Sequence, residues 1–252
     1  MKALLTIGLW AILCSAAAQN TALFEEANAS YNEGKYEEAI AGYLKILERG
    51  EHSAALYYNL GNACYKLNRI APSIYYYEKA RLLDPNDADI KNNLLFAQQM
   101  TIDAIETVPK PLFSKLAGSS IGRLSYNSWA LVAVAAMFLF VAGFLLYYFS
   151  ARHYIKRSFF ALSAIFLLLC TLSFGFAYYQ YQQGKNQRPA IIFEKEISVR
   201  TEPNTRSEVV FLLHEGTRVN VEEEMEGWKK IRLSDGKTGW LPEETLKEVK
   251  DF

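Results

Sequence analysis

The residue types that most often carry catalysis are scattered along this 252-residue chain. Its three histidines, His52, His153 and His214, belong to three different segments, and neither an HExxH motif nor a phosphate-binding loop is present. The acidic run at residues 222–224 is most simply a solvated strand edge. A catalytic site needs reactive groups and their orienting partners close together, and no segment supplies such a set. The sequence therefore predicts a non-enzymatic protein without cofactor or metal.

The three cysteines indicate neither a disulfide nor a reactive thiol. Cys14 lies in an apolar leader, Cys64 in a helical pattern and Cys170 inside a long apolar run. Cysteines in such separate surroundings are not expected to pair, and each suits a small apolar side chain. We expect Cys64 to be packed in a core and Cys170 to lie in lipid.

Composition and charge limit the class of protein. The chain is 51% hydrophobic and 21% charged with a net charge of zero, which excludes a disordered chain and a dedicated nucleic-acid-binding protein. The charges are segregated, because no Asp or Glu occurs between Glu106 and Glu194 while Lys and Arg continue. An acid-free centre with basic flanks indicates a membrane segment between two soluble parts.

The first 18 residues have the pattern of a secretory signal peptide. One lysine precedes a short apolar run, and Ala16 and Ala18 provide the small residues that signal peptidase requires. We expect cleavage after Ala18. Two alternatives are an uncleaved anchor and a lipoprotein at Cys14, although Leu13 differs from the small residue that a lipobox places before its cysteine.

Two later runs are long and apolar enough to cross a bilayer. They predict transmembrane helices at residues 128–150 and 158–181, since about 20 residues at about 1.5 Å per residue match a hydrocarbon layer of about 30 Å. Neither run contains Asp, Glu, His, Lys or Arg, which disfavours a transporter or a proton relay. Ala161, Ala164 and Gly175 suit either close packing of the two helices or plain contact with lipid.

The connector between the two spans favours one topology. Residues 151–157 carry Arg152, Lys156 and Arg157, which indicates a cytoplasmic turn, and a signal peptide exports the first domain. Together they predict a two-pass protein of the bacterial inner (cytoplasmic) membrane with both soluble domains in the periplasm. Linkers are expected at residues 101–127, either flexible or with a short interfacial helix, and at 182–190.

A period of 34 residues organises the first domain. Ala27 and Gly61 are 34 positions apart, as are Tyr43 and Tyr77. The segments GKYEEAIAGYLKIL and LYYNLGNACYKLNRIAPSIYYYEKARLLDP resemble the tetratricopeptide family, which has this period. An interior helical glycine such as Gly61 costs about 1 kcal/mol, so we expect the second helix of its repeat to approach it closely.

The resemblance implies an all-α helical repeat domain at residues 19–100. Its two repeats are expected at about residues 20–53 and 54–87, followed by a cap helix at 88–100 that Asn86 or Asp87 begins. Two repeats bury little continuous core, so we expect a partner or neighbouring copies to stabilise them.

The resemblance also implies where a ligand binds, because in this family the first helix of each repeat lines the concave surface. The side chains expected on this surface are Phe24, Asn28, Tyr31, Tyr58, Asn59, Asn62, Tyr65 and Lys66. Amides can pair with the backbone of an extended peptide while aromatic rings bury its side chains. Clamps for a terminal carboxylate use a lysine where this chain has Phe24, so such a clamp is not expected. The alternative is that these side chains only pack between repeats or are solvated.

After residue 190 the pattern changes to short β runs separated by turn signals. The segments ISVRTEPNTRSEVVFLLHEGTRVNV and GWKKIRLSDGKTGWLP resemble the bacterial SH3 domain, which implies a small all-β barrel at residues 191–252. Domains of this family bind peptidoglycan stems or peptides. The resulting binding candidates are Arg200, Trp228 and Trp240, with barrel core as the alternative for both tryptophans.

The order of signal peptide, repeats, transmembrane hairpin and barrel resembles the BatE-type proteins of the bacterial Bat aerotolerance system. The fold class is accordingly a multidomain membrane protein. The resemblance implies a scaffold in the lipid bilayer that works with von Willebrand A-type Bat membrane proteins and a MoxR-type ATPase system, without nucleic acid. The rival hypotheses are a peptidoglycan-binding tether or envelope sensor that acts through the barrel, and a small transporter subunit.

Overall fold

The computed structural model describes residues 19–105 and 124–250. The predicted signal peptide and most of the first predicted linker lie outside the described residues. The described residues of Met1–Thr107 and Arg188–Phe252 form one compact unit, and those of Val108–Gln187 form another. The predicted fold class is confirmed, because the chain has helical repeats, two apolar helices and an antiparallel sheet.

The repeats and their cap are built from five helices in the described part of the chain. The described part of α1 covers residues 19–32, and α2 (Tyr36–Glu48), α3 (Ala54–Lys66), α4 (Ile70–Leu83) and α5 (Ala88–Gln98) follow. Gly34 and Asn68, again 34 positions apart, make the tight turns inside the two repeats at φ +79° and +56°. Of the two predicted residues, Asp87 begins the cap helix, and its carboxylate accepts the N–H groups of Asp89 and Ile90.

Close helix packing explains the glycine in α3. A methyl group on Gly61 would lie 2.6 Å from Cδ1 of Tyr77 on α4, and the hydroxyl of Ser73 donates to the Gly61 carbonyl at 3.1 Å. The predicted approach of the second helix is therefore confirmed. In the first repeat a different glycine permits the contact, because a Cβ on Gly42 of α2 would lie 2.9 Å from the Cβ of Ala27.

Two further helices form the apolar unit, α6 (Tyr126–Phe149) and α7 (His153–Asn186). Within the described residues, two helical stretches are long and apolar enough to cross a membrane, Tyr126–Phe149 and His153–Gln182. Both therefore begin before the residues at which the sequence predicts a span. The long α7 continues to within three residues of the first barrel strand.

Small side chains lie where α6 and α7 pack together. They are Ala133, Ala136 and Gly143 on α6 and Ser163, Ser173 and Ala177 on α7. By contrast, Ala161 and Ala164 are exposed, and nothing lies within 4 Å of a Cβ built on Gly175. These three residues occupy other faces of α7, so they do not serve the close packing of the two helices.

The C-terminal module is a seven-stranded antiparallel sheet with the strand order β3-β2-β6-β5-β4-β1-β7. Its strands are β1 (Pro189–Ile192), β2 (Glu196–Arg200), β3 (Val209–His214), β4 (Arg218–Met225), β5 (Trp228–Arg232), β6 (Thr238–Pro242) and β7 (Leu246–Glu248). A single 3₁₀ turn at Glu243–Thr245 precedes β7. The turns between these strands contain Gly216, Gly227 and Gly236, all with the positive φ that tight hairpin turns favour. Strands β1 and β7 were not predicted.

The repeats and the barrel share a hydrophobic core. Ile191 of β1 and Val249 are fully buried in one cluster with Ile74 and Tyr75 of α4 and with residues of α5. The ring of Phe193 packs edge-on against Tyr75, with centroids 5.6 Å apart. The sequence suggests two separate modules, whereas the structure joins them. The barrel thus covers the end of a two-repeat array that the sequence predicts to need a partner.

Candidate peptide-binding groove

A concave cavity of about 300 Å³ lies along the first helices of the two repeats and the cap helix. It is lined by Tyr31, Tyr58, Asn62, Tyr65, Lys66, Tyr77, Asn93 and Phe96. Five of the eight sequence-predicted groove residues are in this set. The other three, Phe24, Asn28 and Asn59, do not line it. The predicted residues that do line the cavity are therefore Tyr31 from α1 and four residues from α3.

A hydrogen-bonded unit occurs twice in the repeats with their 34-residue period. In the first copy, the Oδ1 of Asn28 accepts from the Tyr43 hydroxyl at 2.7 Å and from the Nδ2 of Asn59 at 2.9 Å. The second copy has the same three residues 34 positions later: Asn62 Oδ1 accepts from Tyr77 at 2.7 Å and from Asn93 at 2.9 Å. The first copy joins the two repeats, and the second, which lines the groove, joins the second repeat to the cap helix.

These contacts fix the orientation of the Asn62 amide. Its oxygen already accepts two hydrogen bonds, and among the described residues no group accepts a bond from its Nδ2. Because Asn62 lines the cavity, its N–H groups are available to a carbonyl acceptor in a ligand. Asn93 has the opposite role, since its Nδ2 donates to both Asn62 and the hydroxyl of Tyr58 at 2.9 Å.

The tyrosines of these units are held as neutral donors. Burial raises the pKa of Tyr43 to about 12 and raises the pKa of Tyr77 further above its usual value. Burial also raises the pKa of Tyr31, and the neighbouring Tyr36 and Tyr58 add to the effect. All three hydroxyls are therefore protonated across the physiological range, which keeps the Tyr43 and Tyr77 bonds to the amide oxygens intact.

One end of the groove is positively charged and partly apolar. Lys66 is exposed and, within the described residues, forms no ion pair. Phe96 and Tyr65, which also line the groove, are exposed by 56% and 36%, respectively. Phe24, where a carboxylate clamp would need lysine, instead packs against Tyr43 with ring centroids 5.8 Å apart and lines a separate cavity near His52.

Three groove residues were missed by the sequence analysis: Tyr77 on α4 and Asn93 and Phe96 on α5. A signal existed for one of them. Asn93 is 34 positions after Asn59, so the repeat period continues into the cap helix.

The barrel candidates lie on its outer face. Directly paired strand residues share a face, and Arg200, Trp240 and Lys230 are paired in this way across β2, β6 and β5. Trp240 is only 8% exposed although it is not part of the barrel core cluster, and the Lys230 ammonium lies 5.9 Å from its ring centroid. The guanidinium of Arg200 donates to the Ser207 carbonyl at 2.6 Å.

Trp228 lies on the same face as Trp240 and diagonally from it, because Trp228 and Lys230 are two residues apart on β5 and pair with Pro242 and Trp240 on β6. It pairs with Met225 on β4 and Pro242 on β6, and all three side chains are at least partly exposed. An apolar row thus crosses three strands at one end of the barrel. The register places Arg200, Trp240 and Trp228 on one face of the sheet, on the neighbouring strands β2, β6 and β5.

A carboxylate joins the repeats to the barrel. The Asp103 side chain accepts the His214 backbone N–H at 2.7 Å and the Thr217 hydroxyl at 2.6 Å, and lies 2.7 Å from the His214 Nδ1. Burial acts to raise the pKa of Asp103, but the hydrogen bonds from Thr217 and His214 outweigh it and the pKa is lowered. The hydrogen bond to Asp103 raises the pKa of His214, and Glu196 at 3.6 Å adds to this.

A second ionic contact crosses the same interface. Glu78 of α4 is 1% exposed, and its Oε1 lies 3.2 Å from the Nε of Arg218 on β4. These two atoms form no hydrogen bond within the described part of the chain, so their attraction is that of an ion pair alone. The other carboxylate oxygen, Oε2, accepts from Arg81 at 2.5 Å. Removal of Arg218 would leave a buried charge only partly compensated.

Comparison with known protein families identifies both modules. Residues 54–87 match the model of the tetratricopeptide repeat, and residues 195–247 match the model of the bacterial SH3 domain. No curated protein matches the chain. The first helical pair, α1 and α2, lies outside the matched residues. Its Gly34, Asn28 and Tyr43 nevertheless correspond to Asn68, Asn62 and Tyr77 of the second pair, each 34 positions later. Such modules suggest a role in protein interaction or cell-wall binding. Within the described residues no group of three His, Cys, Asp or Glu side chains could hold a metal ion.

Proposed function

We propose that this protein is a membrane-anchored scaffold whose groove binds an extended segment of a partner protein. The observation that carries the proposal is the repeated asparagine–tyrosine unit. It occupies the amide oxygen of Asn62 with intramolecular bonds and leaves its N–H groups available in a cavity lined by aromatic rings. An extended peptide offers regularly spaced carbonyls to such donors and apolar side chains to such rings.

The module order supports a more specific role. Tetratricopeptide repeats, two candidate spans and a bacterial SH3 domain follow one another as in the BatE-type proteins. We therefore propose that the partner is a von Willebrand A-type Bat membrane protein, in a system served by a MoxR-type ATPase and concerned with tolerance of oxygen or stress. The scaffold would present its groove and barrel in the periplasm.

The shared core between repeats and barrel supports this topology. The two modules precede and follow the apolar helices in the chain, and they pack on each other through Ile74, Ile191 and Val249. Contact between them requires that both lie on the same side of the membrane. An even number of spans satisfies this requirement, and the two candidate helices provide it.

A photo-crosslinking amino acid at Tyr65 tests the proposal in cells. Tyr65 lines the groove and is 36% exposed, whereas Leu82 on α4 is similarly exposed at 38% and lies outside the groove lining. Affinity purification and mass spectrometry would identify what is crosslinked from each position. We expect a von Willebrand A-type membrane protein from position 65 and not from position 82. Equal recovery from both positions would contradict groove binding.

Point variants are preferable to module deletions in this experiment. Deleting the barrel would expose Ile74 and Tyr75, and deleting the repeats would expose Ile191 and Val249. Either deletion would thus uncover a fully packed core and cause loss of partner through misfolding.

The barrel provides the observation for a second candidate function, a peptidoglycan-binding tether. The partly exposed row of Met225, Trp228 and Pro242 is an apolar surface on a module whose family binds wall stems or peptides. Co-sedimentation of the full-length protein with purified peptidoglycan tests this function, with Trp228→Ala as the variant. Sedimentation that Trp228→Ala abolishes would favour the tether, whereas no sedimentation of the unaltered protein would exclude it.

A further inference from the structure

A third cavity lies at the turn between the apolar helices α6 and α7. It has a volume of about 300 Å³ and is lined by Tyr147, His153, Lys156, Arg157 and Phe160, which we call the hairpin pocket. Tyr147 belongs to the last turn of α6, and the other four residues belong to the first turns of α7. Neither proposed binding module uses this pocket.

The pocket is strongly cationic and has no internal counter-charge. The chain contains no carboxylate side chain between Glu106 and Glu194. Within the described residues, His153, Lys156 and Arg157 form no ion pair with any acid. The Lys156 ammonium lies 5.2 Å from the ring centroid of Tyr147, a contact that orients it without neutralising it.

The start of α7 adds to the positive field. Its first turn contains basic and no acidic residues, and no side chain caps its N-terminal N–H groups. Cations are normally favourable at the opposite end of a helix, because the N-terminus already carries partial positive charge. The charged side chains of Lys156 and Arg157 beside that terminus raise the potential of the pocket, and an anion from outside the chain would relieve it.

The walls of the pocket indicate what kind of anion fits. The rings of Tyr147 and Phe160 lie 5.5 Å apart and continue directly into the apolar surfaces of α6 and α7. A ligand with a charged head and an apolar body contacts both the cations and the aromatic rings of the pocket, whereas a free phosphate ion would contact only the cations. Aromatic and basic side chains together are typical of the level of lipid headgroups.

We propose that the hairpin pocket binds the phosphate headgroup of an anionic phospholipid in the leaflet where the hairpin turns. Lys156 and Arg157 contact the phosphate, and Tyr147 and Phe160 contact the adjoining glycerol and acyl region. The inference rests on the proposed insertion of α6 and α7 in a membrane. It assigns the hairpin a lipid preference in addition to its anchoring role.

Native mass spectrometry of the full-length protein in detergent tests the assignment. The probes are phosphatidylglycerol and phosphatidylcholine with the same acyl chains at equal concentrations. We expect phosphatidylglycerol to be retained preferentially and Lys156→Gln with Arg157→Gln to lower its retention about five-fold for each cation removed. Lys156→Arg with Arg157→Lys keeps the charges and should retain the lipid as the unaltered protein does.

A matched control removes two exposed cations elsewhere, Lys185→Gln with Lys195→Gln, and should leave retention unchanged. Equal retention of both lipids, or an equal loss in the control variant, would overturn the proposal. Displacement of the lipid by inorganic phosphate at the same concentration would also overturn it, since the pocket would then recognise phosphate alone. Crosslinking from Tyr65 should be unaffected by the pocket variants, so failure here is distinguishable from failure of the groove.

Discussion

His214 donates its backbone N–H to the Asp103 carboxylate across 111 residues of sequence, and its ring nitrogen lies 2.7 Å from the same side chain. This contact ties the segment after the cap helix to the end of strand β3. The groove and the barrel are consequently parts of one unit, although the apolar helices separate them in the chain.

We expect the stability of this unit to depend on pH through the contact. The folded pKa of His214 is raised above 6.5, so its contribution is complete below pH 6.5 and is lost as pH rises through the folded pKa. The folded pKa of Asp103 is lowered below 3.8, so its contribution is complete above pH 3.8 and is lost as pH falls through the folded pKa. The contact is therefore strongest between pH 3.8 and 6.5.

Thermal unfolding of the full-length protein in detergent at pH 5.5 and pH 8 measures this effect. The midpoint should be higher at pH 5.5, and His214→Gln should remove most of the difference. His52 and His153 remain in this variant and serve as the internal control. An unchanged pH dependence in His214→Gln would show that the contact does not contribute.

A substitution at Gly216 tests whether the barrel packs on the repeats, without changing any charge. Gly216 has φ +83°, and an added Cβ would lie between 2.8 and 3.0 Å from side-chain atoms of Thr101, Ile70 and Ile74. Gly216→Ala should therefore lower the free energy of unfolding by about 1–2 kcal/mol for the left-handed backbone and by about 1–3 kcal/mol more for overpacking. Chemical denaturation of the full-length protein gives the value.

Gly236 is the matched control for this substitution. It has φ +92° in another turn of the barrel, with nothing within 4 Å of an added Cβ. Gly236→Ala should thus show only the backbone cost. If both variants lost the same free energy, the repeats would not pack on the β3–β4 turn in solution.

Cys64 should report on the opening of the repeats. It is 2% exposed, and burial raises the pKa of its thiol to about 12 from an ordinary 9.0. At pH 7 the thiolate fraction is then about a thousand-fold lower than that of a free cysteine, and access is blocked as well. Maleimide labelling followed by peptide mass spectrometry should find Cys64 unmodified until denaturant is added. Rapid labelling of the native protein would contradict the packing of α3 against α4.

The local features of the repeats were predictable because short-range rules determine them. Gly34 and Asn68 adopt the left-handed conformation that suits these residue types, Asp87 begins the cap helix, and Gly61 allows the close approach of Tyr77. Each of these follows from steric or hydrogen-bonding preferences within a few residues or from one repeat period.

The docking of barrel on repeats could not be predicted in the same way. Asp103 carries no local signal of a partner more than 100 positions away, and Ile191 and Val249 have the appearance of ordinary barrel residues. The short strands β1 and β7 could not be predicted for a related reason. Their pairing with each other depends on closure of the sheet rather than on an alternation of apolar and polar residues. In the apolar unit, composition alone did not indicate which face of α7 meets α6.

The hydrogen bonds of the groove could not be predicted from the sequence for a different reason. The sequence indicates which amides lie near the concave surface, but only coordinates show that Asn62 accepts bonds from Tyr77 and Asn93. Asn62→Ala would therefore weaken the repeats as well as any ligand contact, and it cannot separate the two. Asn62→Asp can separate them, because a carboxylate accepts both bonds and removes only the amide donors.

The most direct test of the account is crosslinking from position 65 in two backgrounds, Asn62→Asp and Asn93→Asp. The first should preserve the thermal midpoint and strongly reduce partner capture. The second removes the donor that joins the cap to α3 and should lower the free energy of unfolding by about 1–3 kcal/mol. Unchanged capture in a folded Asn62→Asp protein would contradict the central claim that the groove binds a peptide through its amide donors.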